Sequence, residues 1–232
     1  MTTGPTDSDG RRGWLLVIDT STSRILVAAA ALDGTLLGAS TWEAGRTHGA
    51  QLLPAIGRLT GEANLRRSRI RGLIVGTGPG AFTGLRVGMA AAKAIAHELR
   101  VPIVGVSTAA ALLAASETAD MGVLLLPAGP NDRVAVPAGG SATLLPGGSE
   151  PDAADGRVLV AVDLTADRAP ADAIERGRHA RDGLAAALAT IGARRLADGD
   201  ADDLETLVPE YVSLPRGVTT ERGEVAWSRD RR

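Results

Sequence analysis

Two short segments hold the residue types from which chemistry is built. The first, Asp19-Thr20-Ser21-Thr22, directly follows the apolar run Trp14-Leu15-Leu16-Val17-Ile18. A carboxylate and hydroxyls at a strand end, with a second strand folding back behind them, can make a phosphate-facing hairpin. Asp19 there can also orient a water or a magnesium ion. On residue types alone the favoured reading is a plain turn in which Asp and Ser side chains bond the local backbone. The second segment is Gly76-Thr-Gly-Pro-Gly-Ala-Phe-Thr-Gly-Leu-Arg-Val-Gly, with glycine at 76, 78, 80, 84 and 88. It leaves a strand and enters a helix, where free N–H groups and the helix dipole attract an anion. Its glycines let the backbone come close to a ligand or to another chain. It is not a Gly-Lys-Ser/Thr phosphate loop, and Thr83 breaks a G-x-G-x-x-G dinucleotide fingerprint. Asp19, Thr20, Ser21, Gly78 and Gly80 are the candidate nucleotide-binding residues. Against this stands tight packing at a lobe junction, which the composition favours equally.

Hydrolytic chemistry finds little support. His48, His97 and His179 are far apart, and none lies in H-E-x-x-H or in an i, i+4 pair. There is no G-x-S-x-G elbow. No catalytic residue and no metal ligand is expected. The run Arg66-Arg67-Ser68-Arg69-Ile70-Arg71 is either an RNA phosphate contact or a solvated connector. The acidic run from Asp198 to Glu205 lacks the pattern of a calcium loop and reads as solvated.

These segments need elements to position them. The chain has 232 residues, 44% of them hydrophobic, enough for two lobes with a buried core. Its 25 basic and 27 acidic residues nearly cancel, so no global field selects nucleic acid or membrane. With no cysteine, disulfides and thiolate sites are excluded, which fits a cytoplasmic protein. Aromatics are 2% of the residues, too few for a base-stacking reader. No apolar stretch approaches a bilayer span, and Met1–Arg12 reads as a polar, disordered tail.

From Trp14 the patterning predicts a three-stranded meander (14–19, 24–31 and 36–42). A helix follows, capped at Thr47 and running to about Asn64, then a strand at 70–76, a helix at 83–99 and a strand at 101–106. Ser107 caps a short helix. In the second half, strands are expected at 122–126, 133–136, 142–145 and 157–162, a helix at 179–191, and a last strand from Pro209. This alternation is an α/β arrangement. The lobes are expected at 13–110 and 111–215, with a charged tail at 216–232.

Four segments in this order are specific: Ile18-Asp-Thr-Ser-Thr, Thr47-His-Gly-Ala-Gln-Leu-Leu-Pro, the glycine segment 76–88, and Val104-Gly-Val-Ser-Thr. Together they closely resemble the TsaB (YeaZ) family of tRNA threonylcarbamoyladenosine biosynthesis. The resemblance covers about residues 14–113. It implies the actin-like ATPase (ASKHA, ribonuclease H-like) fold, with two lobes of mixed sheet and flanking helices. It implies a non-catalytic partner that binds and activates TsaD, the enzyme that transfers threonylcarbamoyl to an adenosine beside the tRNA anticodon. TsaE is a further partner, and a homodimer is expected when the chain is alone. tRNA is met only through the complex, where ATP or ADP and magnesium would also act, with no cofactor of the chain's own. The interface expected on the two first-lobe helices comprises Leu52, Leu53, Ile56, Phe82, Thr83, Gly84, Leu85, Arg86, Gly88, Met89 and Ala92. A charge at Leu85 or Gly88 is expected to break it and leave the chain folded. The alternatives are an active ATPase or kinase using Asp19 and the glycine loop, and a glycopeptidase-like hydrolase. One departure stands in the second lobe. Where many family members read Asp-Ala-Arg-x-Gly-Glu-Val-Tyr, this chain has Leu126-Pro-Ala-Gly-Pro-Asn-Asp-Arg-Val-Ala-Val.

Overall fold

A computed structural model describes residues 13–44, 50–147, 149 and 156–211. Six consecutive buried residues form β1 (Trp14–Asp19), a strand covered on both faces. β1 pairs antiparallel with β2 (Arg24–Ala30), Leu16 opposite Ala29, and Asp33 and Gly34 then turn the chain into β3 (Leu36–Glu43), antiparallel to β2 with Val27 opposite Ser40. α1 (Leu52–Glu62) then leads to β4 (Ile70–Gly78), α2 (Phe82–Leu99), β5 (Ile103–Ser107) and α3 (Thr108–Ala115). β4 and β5 run parallel to β1, so the first sheet has the order β3-β2-β1-β4-β5. β6 (Gly122–Pro127), β7 (Arg133–Pro137), β8 (Thr143–Leu145) and β9 (Val158–Ala161) make the second sheet, ordered β8-β7-β6-β9, with β6 and β9 parallel. The second sheet repeats the first, less one edge strand. This repeat of mixed sheets with flanking helices is the actin-like, ribonuclease H-like architecture.

α1 and α2 cover one face of the first sheet through Leu52, Ile56, Met89 and Ala92. The other face meets α3 and α4 (Ala171–Ala197), which also carry the inner face of the second sheet, so Val17, Ile74, Leu112, Leu124 and Leu188 share one core. Leu164, Ala169 and Ala173 cover the outer face of the second sheet.

The elements differ from the sequence reading at three places. α1 begins at Leu52, with Gln51 at its cap position and no side-chain cap; Thr47 and His48 lie outside the described residues. Pro54 falls in the first turn, where backbone N–H groups lack helical partners anyway. α4 runs over 27 residues instead of the stretch 179–191. Its first half is buried through Ala173, Gly177 and Ala180, small residues that carry no Leu or Ile signal. They are small because α4 rests on backbone: a Cβ on Gly177 would overlap the Ala161 carbonyl. Finally, Pro209–Tyr211 forms no strand, although the Glu210 amide donates to the Thr77 carbonyl at 2.8 Å; residues beyond 211 lie outside the description.

Among the described residues, no helix is long and apolar enough to cross a membrane. Leu188, fully buried between the two sheets, is the point where α4 holds both lobes. Leu188→Ala should cost about 2–5 kcal/mol of unfolding free energy in a urea titration monitored by circular dichroism.

Candidate functional site

The C-terminal ends of β1, β4 and β5 converge, and there the two chemical segments of the sequence meet. Asp19 ends β1 with no exposed surface. Its Oδ1 accepts from the Ser21 amide at 3.0 Å and the Ser21 hydroxyl at 2.8 Å, and its Oδ2 accepts from the Thr108 hydroxyl at 2.6 Å. The Thr108 oxygen in turn accepts the Gly78 amide at 3.1 Å. Burial pushes the Asp19 carboxyl above its ordinary range, and the Thr108 and Ser21 hydrogen bonds draw it partly back.

The glycine segment lies directly on this turn. Glycines 76, 80, 84 and 88 recur every four residues, and a Cβ on any of them would overlap an atom of Asp19, Ser21 or Thr20. The Ala81 amide donates to the Ser21 carbonyl at 2.8 Å, and the Thr20 hydroxyl donates to the Gly84 carbonyl at 2.7 Å. Gly78, at φ +101°, turns the chain where other residues are strained. The candidates Asp19, Thr20, Ser21, Gly78 and Gly80 are thus gathered in one place as expected. Their polar groups and close approaches are spent on one another and on Thr108, which is the packing alternative of the sequence reading.

Two flanks close the corner. From the second lobe, Asp163 accepts from the Ser23 amide at 2.5 Å, the Ser23 hydroxyl at 2.6 Å and Arg181 Nη1 at 2.8 Å, while Arg24 pairs with Asp182 at 2.9 Å. From the C-terminal side, Glu210 accepts the Thr77 hydroxyl at 2.6 Å. The Tyr211 ring lies 5.0 Å from Phe82, whose other neighbour is the Arg86 guanidinium at 5.4 Å. Sequence reasoning missed Thr108, Asp163 and Glu210 as parts of the site. A signal existed for Asp163, which ends the apolar run Val158–Val162 as Asp19 ends β1. Thr108 was hidden behind the capping role of Ser107, which the structure shows through the Ala110 amide at 3.4 Å.

The residues grouped as a partner surface divide in two. Leu52, Ile56, Gly84, Leu85, Gly88, Met89 and Ala92 are buried within this chain, so they are core and corner residues and not a surface. The expectation that a charge at Leu85 or Gly88 leaves the fold intact is therefore corrected. Leu85 is 1% exposed, and a side chain at Gly88 would overlap Thr20. Thr83 and Arg86 are exposed, Phe82 is half-buried, and Leu53 is 61% exposed. Leu53 belongs to an apolar groove of about 500 Å³ between α1 and α2, lined chiefly by Leu53, Ile56, Val87, Ala91, Ile95 and Leu99. Arg67, from the basic run, and Glu98 supply its charged lining.

Thr108→Val keeps the shape of the corner but strands the Asp19 oxygen and the Gly78 amide. It should lower unfolding free energy by about 2–4 kcal/mol in denaturant titration, whereas Thr108→Ser should stay within about 1 kcal/mol of the parent.

Comparison with known proteins places this geometry. The family model of tRNA N6-adenosine threonylcarbamoyltransferase, TsaD, matches residues 40–180. The Escherichia coli tRNA threonylcarbamoyladenosine biosynthesis protein TsaB is 35% identical over 94 residues, 40% of either chain. Its Bacillus subtilis counterpart is 30% identical over 100 residues, 43% of either. An uncharacterized Mycobacterium leprae protein is 40% identical over 96 residues, 40% of this chain and 26% of that one. The chain thus spans less than half the length of these curated relatives. YeaZ from Pseudomonas aeruginosa superposes with a TM-score of 0.62 over 86% of this chain and 100% of that one, at 24% identity, a likeness of fold.

Proposed function

We propose that this chain, which belongs to the TsaD family and stands there with the TsaB/YeaZ proteins, serves tRNA threonylcarbamoyladenosine biosynthesis as a partner subunit that binds and activates a TsaD-type transferase. The observation that carries this reading is the α1–α2 groove. Both helices spend one face on the first sheet, yet Leu53, Ala94 and Leu99 remain exposed around a continuous apolar trough. A trough of this kind suits a helix or helix pair from another subunit, with Leu53 as an anchor and Arg67 and Glu98 as a polar rim. An interface built on it would bury on the order of 1,600 Å² in total. Without the transferase, a second copy of this chain fits the same trough, which is the proposed homodimer. TsaE, ATP or ADP with magnesium, and tRNA are assigned to the assembled complex.

The geometry of the corner supports the non-catalytic role. Asp19 is the carboxylate that an actin-fold phosphotransferase would aim at its metal and phosphates. Here both of its oxygens are taken by Ser21 and Thr108, and the glycines press onto Thr20 and Ser21 where phosphate would lie. The chain's own contribution is a rigid first lobe that holds α1 and α2 at a fixed spacing.

Leu53→Glu and Ala94→Glu, both at exposed positions, should abolish co-elution with the TsaD-type subunit in size-exclusion chromatography while leaving the melting temperature unchanged. A charge forced into a close apolar contact costs several kcal/mol, about two to three decades in affinity. Undiminished co-elution of both variants would remove the groove from the interface. The isolated chain should show no ATP turnover above background; turnover that disappears in Asp19→Ala would instead establish the ATPase reading.

A further inference from the structure

One motif of the sequence has no part in the partner role so far: the basic run Arg66-Arg67-Ser68-Arg69-Ile70-Arg71. It is not a slack connector. Arg67–Arg69 is a 3-10 turn, closed by the Arg69 amide donating to the Arg66 carbonyl at 2.9 Å. The Trp14 indole N–H donates to that same carbonyl at 3.0 Å, which ties the turn to the start of β1. Arg71 is the second residue of β4, and its Nη1 donates to the Ser68 carbonyl at 3.3 Å. The backbone is thus held in place while Arg66, Arg67, Arg69 and Arg71 all remain exposed.

A fifth arginine joins them. β5 runs parallel to β4 with Leu73 opposite Ile103, so Arg71 and Arg100, shortly before that pair, lie at the same end of neighbouring strands. Arg100 follows α2 in the left-handed conformation, φ +53°, and is exposed. Arg67 lines the α1–α2 groove together with Ile70, Glu98 and Leu99, which brings the end of α2 to the run independently of the sheet register. Glu62 and Glu98 are the only carboxylates of α1 and α2. Among the described residues, none of the five arginines has a carboxylate within ion-pair distance. The acidic run from Asp198 stands past β5, where Asp200 and Asp202 pair with Arg195. Residues 1–12, which lead towards Trp14, carry Asp7 and Asp9 against Arg11 and Arg12 and so bring no net acid.

We infer that Arg66, Arg69, Arg71 and Arg100 form a track for the phosphate backbone of an RNA, beside the groove assigned to the transferase. The track crosses the ends of β1, β4 and β5, about 10 Å at roughly 4.8 Å per strand, which is more than one phosphate needs and suits a chain of them. Guanidinium forks match phosphate oxygens two at a time. Backbone contact needs no stacking platform, in keeping with a chain that has 2% aromatic residues. Arg67 borders both surfaces, so a transferase seated on the groove has the track along its margin, and the tRNA it holds is gripped by both subunits. That the RNA is tRNA rests on the partner role proposed above; the phosphate chemistry does not.

The test measures binding of an unmodified tRNA transcript over a salt titration, by the chain assembled with the TsaD-type subunit and by the chain alone. Arg66→Gln, Arg69→Gln and Arg100→Gln together should weaken binding by the complex about a hundredfold near 0.1 M salt. The slope of log affinity against log salt should fall by about two, since each phosphate contact carries about 0.7–0.9. Co-elution with the transferase and the melting temperature should not change. Arg69→Gln alone should cost about fivefold, which keeps the test decisive if the triple variant folds poorly. Unchanged affinity and slope overturn the inference. Loss of co-elution also overturns it, by making the run a protein contact. If the parent chain itself fails to co-elute, the partner role falls and the chain alone decides the track: the same drop in affinity and slope sustains it, and no drop overturns it.

Discussion

A buried, hydrogen-bonded carboxylate at the end of the central strand fixes the geometry of the first lobe. Asp19 cannot sit without exposed surface unless its oxygens are met, and Ser21 and Thr108 meet them at 2.6–3.0 Å. Because Thr108 opens α3 and also accepts the Gly78 amide, one carboxylate sets the spacing of β1, β4 and α3 together. The glycines follow from that spacing. β4, the loop after it and α2 approach so closely that a methyl group at Gly76, Gly80, Gly84 or Gly88 would strike the Asp19–Ser21 turn. A corner closed in this way is stiff, since each close contact removes a direction in which the backbone could relax.

Stiffness at the corner determines what α1 and α2 present to the outside. The inner stripes of both helices are spent on the first sheet, so residues that look like a binding face in sequence, such as Leu85 and Met89, are the reason the helices are held at all. What remains free is the strip between them, where Leu53 on α1 looks across to Val87 and Ala91 on α2. The groove is a by-product of two helices anchored to one sheet at a separation that their own side chains do not fill.

The same anchoring links the lobes. α4 passes between the two sheets, and its end is secured to the edge of the first by Arg195, which reaches the Gly105 carbonyl at 2.7 Å and pairs with Asp200 at 2.6 Å and Asp202 at 3.2 Å. The segment that follows runs along β5 to the corner, where Glu210 meets Thr77. Ser23–Asp163 and Arg24–Asp182 close the opposite side. Side chains of the chain itself thus join the two lobes at Ser23–Asp163 and Arg24–Asp182.

Much of this was legible from residues alone. The unbroken apolar run Trp14–Ile18, the Asp33-Gly34 turn and the strand–helix alternation after Ile70 each specify local structure by patterns that neighbours in sequence enforce, and they determined the elements and order of the first lobe. The glycine segment and Asp19-Thr-Ser were recognisable as a site for the same reason. Which way that site faced was not legible, because a glycine that admits a ligand and one that admits the chain's own backbone have the same sequence. Only the tertiary structure set Thr108 against Asp19, 89 residues apart, and turned Leu85 and Gly88 inward. It alone brought Asp163 to Ser23 and stretched α4 back to Ala171 over the carbonyl of Ala161. Long-range contact is decided by the shapes of packed surfaces, and a pattern of residue types along one strand or helix carries no record of which surface will meet it.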